Sequence, residues 1–120
     1  MIFQINGHDY TKYLQDDTYN ILQNNIGKSW TDANYKKHIH EILKVQGSFS
    51  IAFINETIFT QFLNDINAKN SAGYNVCTLF VINLNTIKTI ECFINTTSEK
   101  FRPVNSDIVV NILNVTVNEA

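Results

Sequence analysis

The stretch HIHEILKVQGSFSIAFINETIFTQFLNDIN, residues 38–67, decides the fold. From His38 to Phe53 the apolar residues Ile39, Leu43, Val45, Phe49, Ile51 and Phe53 all fall on odd positions, with Glu41 and Gly47 as gaps. The even positions carry His38, His40, Lys44, Gln46, Ser48 and Ser50. A period of two places the apolar set on one face of a strand. Asn55 follows, a residue whose side-chain oxygen accepts from the free N–H groups of a first helical turn. Glu56 then puts negative charge where the helix dipole favours it. Beyond it Ile58, Phe59, Phe62, Leu63 and Ile66 form one helical stripe. The spacing therefore predicts a long strand over 38–53 running into a helix at about 56–67. A helix with a single apolar stripe must cover something, and the odd face of that strand is the nearest candidate.

Strand signals lie on both sides of this unit. Phe3 and Ile5 share a face in a short strand, and Asn6-Gly7 is a turn in which both residues tolerate positive φ. Asp9 to Leu14 reads as a helical turn or bend that packs Tyr10, Tyr13 or both onto the sheet. Thr18 to Gln23 alternates through Tyr19 and Ile21. After a polar link over Ala68–Asn75, the apolar run Val76–Ile82 reads as a buried central strand. Asn83-Leu84-Asn85 turns the chain into a return strand, Thr86–Ile94. Asn95–Asn105 reads as a polar segment holding Pro103. A last strand, Ile108–Val117, carries apolar residues on both faces at its start, as though covered twice. The order is strands, one helix, then strands. This predicts an α+β domain, an antiparallel sheet, small sandwich or barrel-like sheet with one packed helix. At 120 residues the chain is read as a single domain over 1–120.

Composition narrows the function classes. The net charge of −2 gives no broad attraction to nucleic acid or anionic lipid. No run of about 18 apolar residues suggests a membrane span. The start Met1-Ile2-Phe3-Gln4 lacks the basic-then-apolar order of a secretory signal. Cys77 and Cys92 are the only cysteines; they are read as reduced core residues. Asparagine is heavily used, seventeen in all, which makes a polar but weakly charged surface.

Candidate chemistry is sparse. His38 and His40 share a strand face and invite a metal, with His8 or Glu41 as partners. Glu41 has the opposite parity, however, and nothing places His8 nearby, so no set of three or four ligands assembles. Asp16-Asp17 and Asp32 read as turn carboxylates. Ser48 and Ser50 stand on the polar face with no nucleophile elbow around them. No glycine-rich phosphate loop is present, and Lys36-Lys37-His38 is one small basic cluster on a net acidic chain. The expectation is no enzyme, no catalytic residue, no cofactor and no metal.

The segment 24–37 is the least regular and reads as a flexible loop, a length usually functional or disordered. Trp30 within it either folds back to cap the core or anchors an interface. The candidate interface residues are Trp30, Asp32, Lys36 and Lys37.

Taken together, several segments resemble small tail proteins of phages and prophages. They are Phe3-Gln4-Ile5-Asn6-Gly7-His8-Asp9-Tyr10-Thr11, the loop ending Asp32-Ala33-Asn34, the strand Ile42–Phe53, the helix Thr57–Ile66 and the hairpin Val76–Phe93. Their order looks like the sheet-plus-helix domain of tail tube proteins and of the N-terminal half of distal tail proteins. The resemblance implies a virion structural protein, made in the host bacterial cytoplasm. Its partners would be itself, in a ring-forming homo-oligomer such as a hexamer, and other tail proteins of a tube, baseplate or connector. It further implies that 24–37 is a contact loop and that strand edges pair between subunits. No sequence-specific nucleic acid and no membrane enter this picture. The competing class is a small cytosolic β-rich binding or adaptor module, and oligomeric state separates the two.

Overall fold

A computed structural model describes residues 1–53, 56–104 and 107–120, with the side chains of 100–111 outside the description. Nine strands and one α-helix follow in the order β1 (Phe3–Ile5), β2 (His8–Asp9), β3 (Asn20–Asn25), β4 (Ser29–Thr31), β5 (Lys37–Ile39), β6 (Leu43–Phe53), α1 (Glu56–Asn67), β7 (Asn75–Val81), β8 (Thr86–Val104) and β9 (Asp107–Glu119). Seven of the strands form one antiparallel sheet in the order β2-β1-β7-β8-β9-β6-β3, and β4 and β5 pair separately. The protein is α+β: an open seven-stranded sheet with one packed helix and a separate two-stranded ribbon, not a closed barrel.

The core lies on the concave face. Val45, Phe49, Ile51 and Phe53 from β6 are each at most 1% exposed. They meet Phe3 and Ile5 from β1, alternate residues of β7, and Leu113, Val115 and Val117 from β9. Helix α1 covers this face through Phe62, which packs against Tyr10 and Phe53. Ile58, Phe59 and Ile66 pack beside it, half-buried, whereas Leu63 stays outside the cluster. The proposed cap Asn55 lies outside the described residues. At its other end α1 is closed by a side chain from the sheet: the buried Asn75 amide donates to the carbonyls of Asp65 and Ile66 at 3.2 and 2.9 Å. Helix carbonyls left without intrahelical partners are thereby satisfied.

The sheet curls until the edge strand β3 meets the β7–β8 corner. Tyr19 donates its hydroxyl hydrogen to the Phe80 carbonyl at 2.5 Å. The Asn83 side chain both accepts from the Gln23 N–H and donates to its carbonyl, at 2.9 and 2.8 Å. A side chain thus occupies backbone groups that an edge strand otherwise leaves open. Asn6 and Gly7, at φ of 51° and 83°, form the expected turn between β1 and β2.

Four expectations need correction. The strand read over 38–53 is broken at residues 40–42, between β5 and β6. There the backbone of Gly27 lies against the His40 carbonyl, and the Asn25 side chain accepts from the N–H groups of Gly27 and Ile42 at 2.9 and 3.1 Å. Ile39 and Leu43 are 60% and 46% exposed, because this end of the ribbon has outrun the core. Second, 24–37 is no loop but the end of β3, then β4, a turn and the start of β5. Third, Val76–Ile82 is buried on one face only; Val76 is exposed, and Ile82 has left the strand for a 3-10 turn. One helix covers one face, so the apolar run is not enclosed.

Fourth, the strand read over Thr86–Ile94 continues to Val104, pairing with β9 through the segment read as polar and apart from the strands. Pro103, which has no N–H to give a ladder, sits where the register shifts after Arg102. The double covering expected at Ile108–Val110 falls on side chains outside the description. Strands that extend past the core make the molecule long: 70 × 32 × 23 Å, with a radius of gyration of 17.6 Å. A compact chain of this length has about 14 Å.

Candidate functional site

The four sequence-selected residues Trp30, Asp32, Lys36 and Lys37 all fall on the β4–β5 ribbon. It prolongs the β3–β6 pair beyond the sheet through the bonds Ile26 N–H to Ile42 O and His40 N–H to Lys28 O, both 2.8 Å. From Asn25 to the tip at Asn34 is nine residues, on the order of 30 Å of extended chain. Trp30 does not fold back onto the core. It lies opposite His38 in register and stacks on its ring at 5.4 Å and 17°.

Asp32 organises the tip. One carboxylate oxygen accepts from the N–H groups of Asn34 and Lys36 at 2.9 and 3.0 Å, and the other bonds to His38 Nε2 at 2.7 Å. The His38 bond first, and the Lys36 N–H with it, hold the Asp32 carboxyl below the usual range. Its bonding capacity is therefore used inside the arm, where it shapes the tip. This turn forces Tyr35 into the left-handed region at φ 63° and leaves it 91% exposed. That conformation costs an L-residue roughly 1–2 kcal/mol.

The arm is apolar for a solvated ribbon. Ile26, Trp30, Tyr35 and Ile39 are each more than half exposed. Lys36 and Lys37 stand at the tip, and neither ammonium has an ion pair among the described residues.

A second feature was not selected from the sequence. Asp65 is only 6% exposed. Its carboxylate accepts from His8 Nδ1 at 3.0 and 2.8 Å and from the Tyr10 hydroxyl. Its own carbonyl is held by the Asn6 amide at 3.1 Å. Because a carboxylate only accepts, His8 carries its hydrogen on Nδ1 and directs Nε2 outward. Burial first, then the bond to Asp65, raises the Tyr10 hydroxyl well above its ordinary pKa. Gln61 also donates to the Tyr10 oxygen, at 3.3 Å.

His8 and Asp65 line an open cleft of about 620 Å³, together with Glu56, Thr57, Thr60, Gln61 and Asn64 from α1. One signal was available: Asp65 lies between Phe62 and Ile66, a charged residue beside an apolar stripe. Its partner could not be read, because His8 is 57 residues away.

The other candidates separate. His38 is engaged in the arm, and His40 lies in the break between β5 and β6. His8 is held by Asp65, away from both of them. Among the described residues no group of three or more His, Cys, Asp or Glu could hold a metal ion. Asp16 and Asp17 are exposed in a turn, with Asp17 at φ 61°. Ser50 is buried and donates to Glu99 at 3.1 Å. Cys77 and Cys92 are free and buried with sulfurs 3.2 Å apart. The bond with Cys92 and burial both push the Cys77 thiol far up, so Cys77 is not poised as a thiolate nucleophile. No helix among the described residues is long and apolar enough to cross a membrane. No protein-family model, curated protein or solved structure matches the chain.

Proposed function

We propose that this protein is a non-catalytic building block that acts by self-association through its β4–β5 arm, as a structural component of a phage-type tail. The observation that carries the reading is the arm itself. A ribbon about 30 Å long, braced by Asp32 and the Trp30–His38 stack, holds Ile26, Trp30, Tyr35 and Ile39 in solvent. Apolar groups held rigidly away from a core favour association, because burying them against a partner costs little additional ordering. The elongated outline supports the same reading. The tail assignment rests on the resemblance of segment order alone.

Multi-angle light scattering across a concentration series tests the proposal. The expected result is a mass rising with concentration toward closed rings or filaments. Trp30→Ala is expected to weaken this association while changing unfolding stability by no more than about 0.5 kcal/mol, because the site lies away from the core. A monomer at every concentration would overturn self-association and favour the adaptor reading, in which the arm serves a different protein.

A further inference from the structure

Two features of opposite charge lack ion-pair partners among the described residues. Lys36 and Lys37 at the arm tip are unpaired among the described residues, and so is Glu56 at the mouth of the cleft beside α1. The cleft is lined by two carboxylates, Glu56 and Asp65, and by no lysine or arginine. Its volume of about 620 Å³ lies in the range that encloses a compact ligand, enough for a tyrosine ring and the end of a lysine.

We infer that the arm tip of one copy docks into this cleft on a second copy, with the Lys36 and Lys37 ammonium groups facing Glu56 and the Tyr35 hydroxyl donating to Nε2 of His8. The inference rests on the self-association proposed above and specifies its interface. Both halves are formed before they meet. Asp65 holds His8 through Nδ1, which fixes the ring and leaves Nε2 for a partner. Asp32 holds the tip turn that presents Tyr35, 91% exposed in a left-handed conformation. A backbone kept in such a conformation at a solvated tip points to a role for the exposed side chain. Preformed halves lower the ordering cost of association, and unlike charges orient it.

The arm leaves from β3 and β6 at one end of the strand order, whereas the cleft lies beside β2 at the other. Different patches meet, so copies that repeat the contact head to tail close into a ring or continue as a filament, and copies that exchange tips across a two-fold axis form a closed dimer.

Charge reversal tests the interface by sedimentation velocity on the full chain. Lys36→Glu combined with Lys37→Glu, and separately Glu56→Lys, are each expected to weaken association tenfold or more, since like charges then face one another. Combining all three substitutions is expected to restore it. Raising ionic strength is expected to weaken the parent assembly. Helical circular dichroism of each variant shows that the fold is retained; should Glu56→Lys unfold, Glu56→Gln takes its place and a smaller loss is expected. Assembly that ignores every reversal overturns the tip-in-cleft contact and leaves self-association standing. A parent protein that is monomeric at all concentrations overturns both.

Discussion

Replacing Phe62 by alanine removes the ring that joins the helix to the sheet. Phe62 is fully buried. It meets Tyr10 edge-on at 5.1 Å and 81°, and Phe53 at 5.0 Å and 41°. Apart from the buried Asp65, whose contacts are polar, the helix is held by half-buried side chains, so the site has little apolar material with which to refill the space. Phenylalanine-to-alanine changes in cores cost about 3–5 kcal/mol. For this chain the entropy of unfolding is about 0.25 kcal/mol/K, from roughly 2.1 cal/mol/K per residue. The midpoint should therefore fall by about 12–20 °C. With a total stability near the middle of the usual range, about 10 kcal/mol, the variant should still fold at room temperature. Phe93→Ala is the matched control: Phe93 is 49% exposed on the outer face, and among the described residues its one ring contact is to Tyr74 at 4.6 Å. Its loss should cost about 1 kcal/mol or less. Urea titrations followed by circular dichroism, at a concentration where association is absent, compare the two. A Phe62→Ala cost below about 1 kcal/mol, or equal costs at both sites, would refute the helix-on-sheet packing.

Two further outcomes follow from local geometry. Gly47 pairs with Ile21 and Val117, and a Cβ there would lie 1.8 Å from the Asn20 carbonyl oxygen. Gly47→Ala should therefore lower the urea stability by about 1–3 kcal/mol, and an unchanged midpoint would mean the β3–β6 approach is looser than described. Asp32 titrates below its usual range in the folded arm, so its contribution is present above the unfolded value near pH 4 and is lost as pH falls through the lower folded one. Trp30 is the only tryptophan, and its fluorescence should register this acid step in the parent; a step that persists in Asp32→Asn would show that another group causes it.

Much of the fold was legible because its signals are local. Alternation over Val45–Phe53 and the stripe Ile58–Ile66 follow from the periods of strand and helix, and the Asn6-Gly7 turn from backbone sterics. The same logic misled where a pattern outran its burial. Ile39 and Leu43 continue the parity of Val45, yet they stand in solvent because no helix extends over them. The Asn95–Asn105 segment reads as lying apart from the strands because its side chains are polar, but a ribbon's ladder is made by backbone groups and does not require apolar residues. The candidate site divided in the same way. Trp30, Lys36 and Lys37 were selected from composition and do share one arm, while their ordering by Asp32 and His38 required a hairpin the sequence did not announce.

The sequence by itself determined the class of fold, the helix and the residues of the main core strand. Those follow from periodicity and residue chemistry, which act over a few neighbours. Tertiary structure alone decided that the seven-stranded sheet stays open, that 24–37 projects as an arm, and that Asp65 meets His8 and Tyr10. Each of these depends on contacts between residues far apart in the chain. Their formation depends on which faces remain uncovered after the core has closed, and no local pattern encodes that remainder.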